Sequence, residues 1–279
     1  MKLSVVVSAQ PARFEAATFK GDFDANVAQV ATLGYDGVEL AIRDPRLVDA
    51  TAVDALLARH GLAVPGIGTG QAWGEEGLSF TDPDECVRAA AIERVRSHLP
   101  LAARWRAVVI IGLLRGKVRP PVERERAMDW LVGTLRQCCQ AAEASGVRLA
   151  LEPINRYETN LVNTVAEGLE LIEQVGAANL GLLLDTFHMN IEEPDILASM
   201  RRARDRLFHF HVADSNRRYA GGGHLDFTTI LETLQDLEYT GFVSGEFLPL
   251  PDAGTAAERA IRHLATVTGR RSREGPSGS

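Results

Sequence analysis

Eight short apolar runs, each followed by a stretch with helical spacing, recur along the whole chain. The runs are Leu3–Ser8, Gly37–Ile42, Ala63–Gly68, Ala107–Leu113, Val147–Glu152, Leu180–Asp185, Leu207–Val212 and Phe242–Phe247. Most are continuous rather than alternating in polarity, the pattern of parallel strands covered on both faces. Helical spacing follows at Asp24–Leu33, Ala52–His60, Pro83–Ala103, Val122–Ser145, Val165–Val175, Pro194–Arg204, Phe227–Leu237 and Thr255–Val267. Gly34, Gly61, Gly146, Gly176 and Gly241 each close a helical segment shortly before a strand begins. Asp82-Pro83 and Glu193-Pro194 read as helix starts. Eight strand–helix pairs in 279 residues predict an α/β fold, a single (β/α)8 TIM barrel over residues 1–269. The tail, 270–279, lacks apolar residues and is expected to be disordered.

In such barrels the reactive end is the one where the strands finish. Glu152, Asp185, His211 and Glu246 sit near the C-terminal ends of LALEP, GLLLD, FHFHVAD and VSGEF, at successive intervals of 33, 26 and 35 residues. Each interval is about one βα unit of ~30 residues. Parallel strands would therefore bring three carboxylates and one imidazole to the same rim. Charges at the ends of apolar strands require partners or a cation, and this donor set suits a divalent metal.

Composition narrows the partners. With 46% hydrophobic and 24% charged residues, the chain can bury a large core, and a net charge of −7 argues against a broad grip on nucleic acid. Cys86, Cys138 and Cys139 are too few and too poorly spaced for a disulfide framework, and are expected as small apolar fillers in a reducing compartment. No signal-peptide core stands at the N-terminus, and no apolar stretch reaches the ~20 residues needed to span a bilayer. A cytoplasmic protein without a membrane partner is expected. Neither Gly66-Ile67-Gly68-Thr69-Gly70 nor Gly221-Gly222-Gly223-His224 belongs to a Rossmann fingerprint or P-loop, so no nucleotide cofactor is expected. The second of these runs is expected to let the backbone approach a substrate. Trp73 is open between a wall of the pocket and ordinary packing.

The stretches EPINRYETN, LDTFHMNIEE and HVADSNRRYAGGGHLDF strongly resemble the ketose 3-epimerase branch of the xylose-isomerase-like sugar isomerase and epimerase barrels. That branch includes D-tagatose, D-psicose and L-ribulose 3-epimerases and is similar to 5-keto-L-gluconate epimerase. The resemblance is close over strands five to eight and rests on layout in the first half. It implies a divalent metal, usually Mn²⁺ with Mg²⁺, Co²⁺ or Zn²⁺ as substitutes, held by Glu152, Asp185, His211 and Glu246. Glu152 and Glu246 would also be the catalytic acid/base pair. Glu158, His188 and Arg217 would hold hydroxyl and carbonyl oxygens of a sugar, and the protein would assemble as a homodimer or homotetramer. The chemistry accounts for these residue types. Inverting a carbon beside a ketone needs one group to remove a proton, another to return one on the opposite face, and a cation to stabilise the enediolate between.

Two further candidates carry open alternatives. Glu39, ending the second strand in GVEL, is either a substrate contact or half of a salt bridge. Arg115, with Lys117 behind it, either recognises a carboxylate or phosphate on the far end of the sugar or belongs to a basic loop balancing Glu123 and Glu125. The Arg115 reading favours a keto sugar acid over a neutral ketose. Rival activities on the same barrel are a hydroxypyruvate-type isomerase and an inosose dehydratase, and a non-catalytic sugar-binding protein is the third class. An abasic-site nuclease of the endonuclease IV type is disfavoured, because GIGTG and IIGLL lack the histidines its zinc cluster needs.

Overall fold

The computed structural model describes residues 1–268. Eight parallel strands close on themselves in sequence order: β1 Lys2–Ser8, β2 Gly37–Ala41, β3 Gly66–Gly68, β4 Val108–Ile111, β5 Leu149–Leu151, β6 Leu180–Asp185, β7 Leu207–Val212 and β8 Phe242–Gly245. Pairing of Lys2–Val5 with Phe242–Gly245 completes the ring. The helices are α1 Phe23–Thr32, α2 Ala50–His60, α3 Gly70–Glu76, α4 Glu85–Trp105 and α5 Arg124–Ala144, then α6 Val165–Val175, α7 Thr186–Glu192, α8 Ile196–Ala203, α9 Phe227–Asp236 and α10 Ala253–Thr268. Every expected strand and long helix is present. The expected disordered tail lies outside the described residues.

Strand alternation divides the core in two. Leu3, Val5 and Val7 on β1 join the large apolar layer shared with the helices, whereas Val6 packs inside the barrel with Ala17 and Ala41. Val108, Ile110, Ala150 and Leu183 form a second interior cluster. Polar groups share that interior. Pairing of β6 with β7 sets Leu183 opposite His209 and Asp185 opposite His211, and pairing of β1 with β2 sets Val6 opposite Glu39.

Several expectations move by local chemistry. Helices α4 and α8 start two residues after Pro83 and Pro194, because Asp84 and Asp195 accept backbone N–H groups as N-caps. Gly61 and Gly176 do close α2 and α6 in the left-handed conformation, at φ of 65° and 73°. Helices α3 and α7 were not anticipated: each has only seven residues and lies inside a βα connection. Cys138 and Cys139 are buried as expected, but Cys86 is exposed, in the first turn of α4. Among the described residues no helix is long and apolar enough to cross a membrane.

Candidate metal centre

Glu152 follows β5, Asp185 ends β6, His211 lies on β7 and Glu246 follows β8. One ligand atom from each lies within 4.8 Å of the others. His211 Nδ1 is 3.7 Å from Glu246 Oε2, 3.9 Å from Asp185 Oδ2 and 4.0 Å from Glu152 Oε1. The backbone fixes these positions. The N–H groups of Glu152 and Glu246 donate to Ile111 and Val212 on the neighbouring strands, at 3.1 and 3.3 Å. Asp185 caps α7, its Oδ1 accepting from Phe187 N at 2.8 Å, which leaves Oδ2 for the cluster. Gly112 makes room for Glu152, since a Cβ there would lie 2.8 Å from Oε2.

Two atoms in this cluster, Glu152 Oε1 and His211 Nδ1, are buried without a hydrogen-bond partner among the described residues. Three carboxylates at this spacing repel one another in a low-dielectric site. The orphaned oxygen and nitrogen, both facing the common centre, fit a divalent cation with mixed oxygen and imidazole ligation. Arg217 neutralises part of the charge, its guanidinium bridging Asp185 and Glu246 while lying 4.8 Å over the Phe187 ring.

The electrostatics push the two deeply buried carboxylates apart. Burial, reinforced by Glu246 and Asp185, raises Glu152 well above the usual carboxylate range. Burial acts the same way on Asp185, but Arg217, His188 and His211 outweigh it and hold Asp185 low. Burial disfavours charge on His211, yet Glu39 and Glu246 prevail and raise its pKa well above the ordinary imidazole value.

Behind His211 stands Glu39. Its two oxygens are 3.0 and 2.9 Å from His211 Nε2, and Oε2 is also 2.7 Å from His209 Nε2. Burial raises Glu39, but His211 and His209 overcome it and keep the group ionised. The carboxylate thus holds the Nε2–H of His211 and turns Nδ1 toward the cluster, the usual second partner of a metal-ligating histidine. Sequence reading placed Glu39 on the rim and gave His209 no role, although the alternation of His209 with His211 in FHFH points both rings to the same face.

His188 Nε2 lies 3.7 Å from Glu152 Oε1. Its Nδ1 and Glu158 Oε1 both accept from Asn155 Nδ2, each at 2.8 Å. Burial, aided by the Arg217 and Arg115 cations, lowers the His188 pKa to about 3 and leaves the ring neutral with its hydrogen on Nε2. Asn155 was not singled out from the sequence, although EPINRYETN contains it.

Arg115 does not reach the cavity. Its side chain is fully buried and donates to four carbonyls: Leu161 from Nε at 2.9 Å, Gly112 and Glu152 from Nη1 at 3.1 and 2.5 Å, and Val162 from Nη2 at 3.1 Å. The expected recognition of a substrate carboxylate or phosphate is therefore corrected: each of the three guanidinium nitrogens donates to the loops after β4 and β5. Arg115→Met should lower stability on the order of 3 kcal/mol, since it strands several buried carbonyls. An unchanged midpoint in urea unfolding would contradict this role. The glycine run is corrected too. Gly221 N and Leu225 N donate to Asp214 at 2.9 and 3.1 Å, so the loop wraps a buried carboxylate rather than reaching for substrate.

The cluster opens into a cavity of about 270 Å³. Glu39, Glu152, Glu158, His188, Arg217 and Glu246 all line it.

A family model described as the xylose isomerase-like TIM barrel matches residues 27–267. The chain is 32% identical over 241 residues to the L-ribulose 3-epimerase of Mesorhizobium japonicum, covering 84% of this chain and 78% of that protein. Among solved structures it is similar to apo 3-keto-D-glucoside 4-epimerase from E. coli, with TM-score 0.81, 25% identity, and coverage of 95% of this chain and 100% of that one. It is also similar to D-allulose 3-epimerase from Methylomonas sp. in complex with D-allulose, with TM-score 0.78, 26% identity, and coverage of 97% and 98%. The closed barrel, the rim it builds and the match over most of its length agree, and the chain belongs to the xylose isomerase-like TIM-barrel family, with curated epimerases among its relatives.

Proposed function

We propose that the protein is a divalent-metal-dependent sugar epimerase that inverts the carbon beside the ketone of a ketose or keto sugar. The observation that carries this reading is the pair Glu152 and Glu246. They approach one centre from β5 and β8, three strands apart around the barrel, with no hydrogen-bond partner for Glu152 Oε1 among the described residues. The names of the relatives, L-ribulose 3-epimerase and D-allulose 3-epimerase, support an α-hydroxyketone as substrate.

Glu152, Asp185, His211 and Glu246 would hold the cation, with Mn²⁺ favoured by the donor set and Mg²⁺, Co²⁺ or Zn²⁺ able to substitute. When bound, it would supply Lewis-acid polarisation of the ketone. One glutamate removes the proton from the carbon beside the carbonyl, and the other returns a proton to the opposite face. The two then exchange roles for the reverse reaction. His188, neutral and with its hydrogen on Nε2, donates toward the oxygen on which negative charge develops. Arg217 sets its positive charge beside the same site, and Glu158, held by Asn155, accepts a substrate hydroxyl. With Arg115 buried, no preference for keto sugar acids is carried over from that residue.

The test is solvent exchange. Manganese-loaded protein is incubated in D₂O with ketoses and keto sugars, and deuterium incorporation is followed by NMR. Incorporation beside the ketone with appearance of the epimer supports the reading. An aldose product would replace it with an isomerase, and no metal-dependent exchange would sink it. Glu39→Gln supplies a separate check: losing the carboxylate behind His211 should weaken Mn²⁺ binding roughly 10- to 100-fold. A titration read by electron paramagnetic resonance measures that, and an unchanged affinity would refute the orienting role.

A further inference from the structure

The opposite end of the barrel, where the strands begin, holds a second cavity of about 610 Å³. That volume lies within the ~300–1,000 Å³ typical of small-molecule sites. Its floor is built by a break in register. Leu182 pairs with Leu207 and Leu183 with His209, so Phe208 is one residue more than β6 can match. A bulge of this kind re-aims a side chain, and the Phe208 ring packs against the interior cluster of Val108, Ile110, Ala150 and Leu183. Gly181 clears the space, since a Cβ there would lie 2.5 Å from the ring. Arg148, the residue before β5, sets its guanidinium 4.8 Å over that ring. It is also close enough to Tyr239 to oppose the rise that burial imposes on the phenol.

Cations gather here although the chain carries a net charge of −7. Lys2, Arg106, Arg148 and Arg204 line the cavity with a single carboxylate, Glu238, and Arg204 pairs with that carboxylate at 3.0 Å. Among the described residues the other three cations form no ion pair. Lys2 Nζ lies 5.5 Å from the centre of the Phe242 ring, as Arg148 lies over Phe208. A ring face steadies each cation and leaves its N–H groups for another partner. Arg106 closes α4 in the left-handed conformation, at φ of 55°. Glycine normally takes that place, because any Cβ is strained there. Arg106 and Arg148 precede adjacent strands, joined where Val109 N donates to Arg148 O at 3.0 Å.

We infer that this cavity binds a small phosphate ester. Four cations against one carboxylate call for a dianion, and phosphate oxygens match the donor forks of Arg106 and Arg148. Lys2 adds its charge to the same cavity. Trp105 and Tyr239, which also line it, cover the apolar body of the ester. The site lies where the strands start and the metal centre where they end, so it stands apart from whatever the rim accepts.

Phenyl phosphate and, separately, inorganic phosphate are titrated into the manganese-loaded full chain by calorimetry, in low salt and at a pH where both are dianions. The ester should bind with Kd on the order of 0.1 mM, and inorganic phosphate about tenfold more weakly for want of the ring contact. Arg148→Gln and Arg106→Gly should each weaken the ester about tenfold, the worth of one charge-assisted hydrogen bond. Glycine adopts the φ of residue 106 without strain, so Arg106→Gly should keep or raise the thermal midpoint while it loses affinity. A merely structural arginine would lower the midpoint and leave affinity alone. Arg119→Gln, in the loop after β4 at the other end of the barrel, should leave the ester affinity unchanged. The site is overturned if Arg148→Gln and Arg106→Gly both bind the ester like the wild type, or if Arg119→Gln weakens it as far as they do. Inorganic phosphate binding as tightly as the ester, or no binding of either, would overturn it as well.

Discussion

Glu152→Gln and Glu246→Gln, each loaded with manganese, are expected to lose roughly 10²- to 10⁴-fold in kcat for epimerisation, the range lost with a positioned acid/base group. Both residues are also proposed ligands, so metal content has to be read beside the rate. The amide keeps an oxygen that can face a cation but cannot take or give the proton. A variant that still binds Mn²⁺ and has lost its rate therefore assigns the glutamate to proton transfer. If either variant, with metal bound, stays within tenfold of the wild type, the two-glutamate mechanism fails.

Removing the metal should cost stability as well as activity. Glu152, Asp185 and Glu246 present their oxygens within 4.8 Å of one another and of His211, and a cation relieves repulsion that the folded chain otherwise bears. Mn²⁺ at about 100 times its dissociation constant would stabilise the fold by ~2.7 kcal/mol. For a domain near this size, that moves the thermal midpoint up by roughly 5–10 °C. Asp185→Ala should abolish most of that shift, and scanning calorimetry with and without Mn²⁺ decides it.

The sign of the pH effect follows from the same groups. Without metal, burial together with Glu246 and Asp185 raises Glu152, and Glu39 and Glu246 prevail over burial to raise His211, so both hold protons to higher pH than usual. Cation binding expels those protons. Affinity should therefore rise with pH through the range in which the two groups titrate and fall away below it. A Mn²⁺ affinity independent of pH would mean that neither group is a ligand.

The barrel and the rim that gathers its candidate metal ligands were legible in sequence because both depend on local pattern. Apolar runs such as LALEP and GLLLD identify buried strands without knowledge of their neighbours. Once strands are parallel, a residue at the end of one must share a rim with residues at the ends of the others. Glu152, Asp185, His211 and Glu246 were found in that way, and the structure brings them together. The prolines at 83 and 194 marked where α4 and α8 would start to within two residues, and the cap aspartates set the final position.

Contacts between distant parts of the chain were beyond that reading. Glu39 meets His211 across 172 residues of chain and His209 across 170, so nothing in GVEL announces that its carboxylate turns inward to orient a ligand. Arg115 was placed at the mouth by its position after β4, but the loop after β5 folds over it and supplies the carbonyls of Leu161 and Val162. Asn155 and the small helices α3 and α7 gain their meaning only from what packs against them. The sequence by itself determined the eightfold alternation and the rim on which the ionisable residues gather, because strand period and chain direction are local properties. Tertiary structure alone decided which way each polar side chain turns on that rim, because a buried hydrogen bond is set by the partner that folding brings to it.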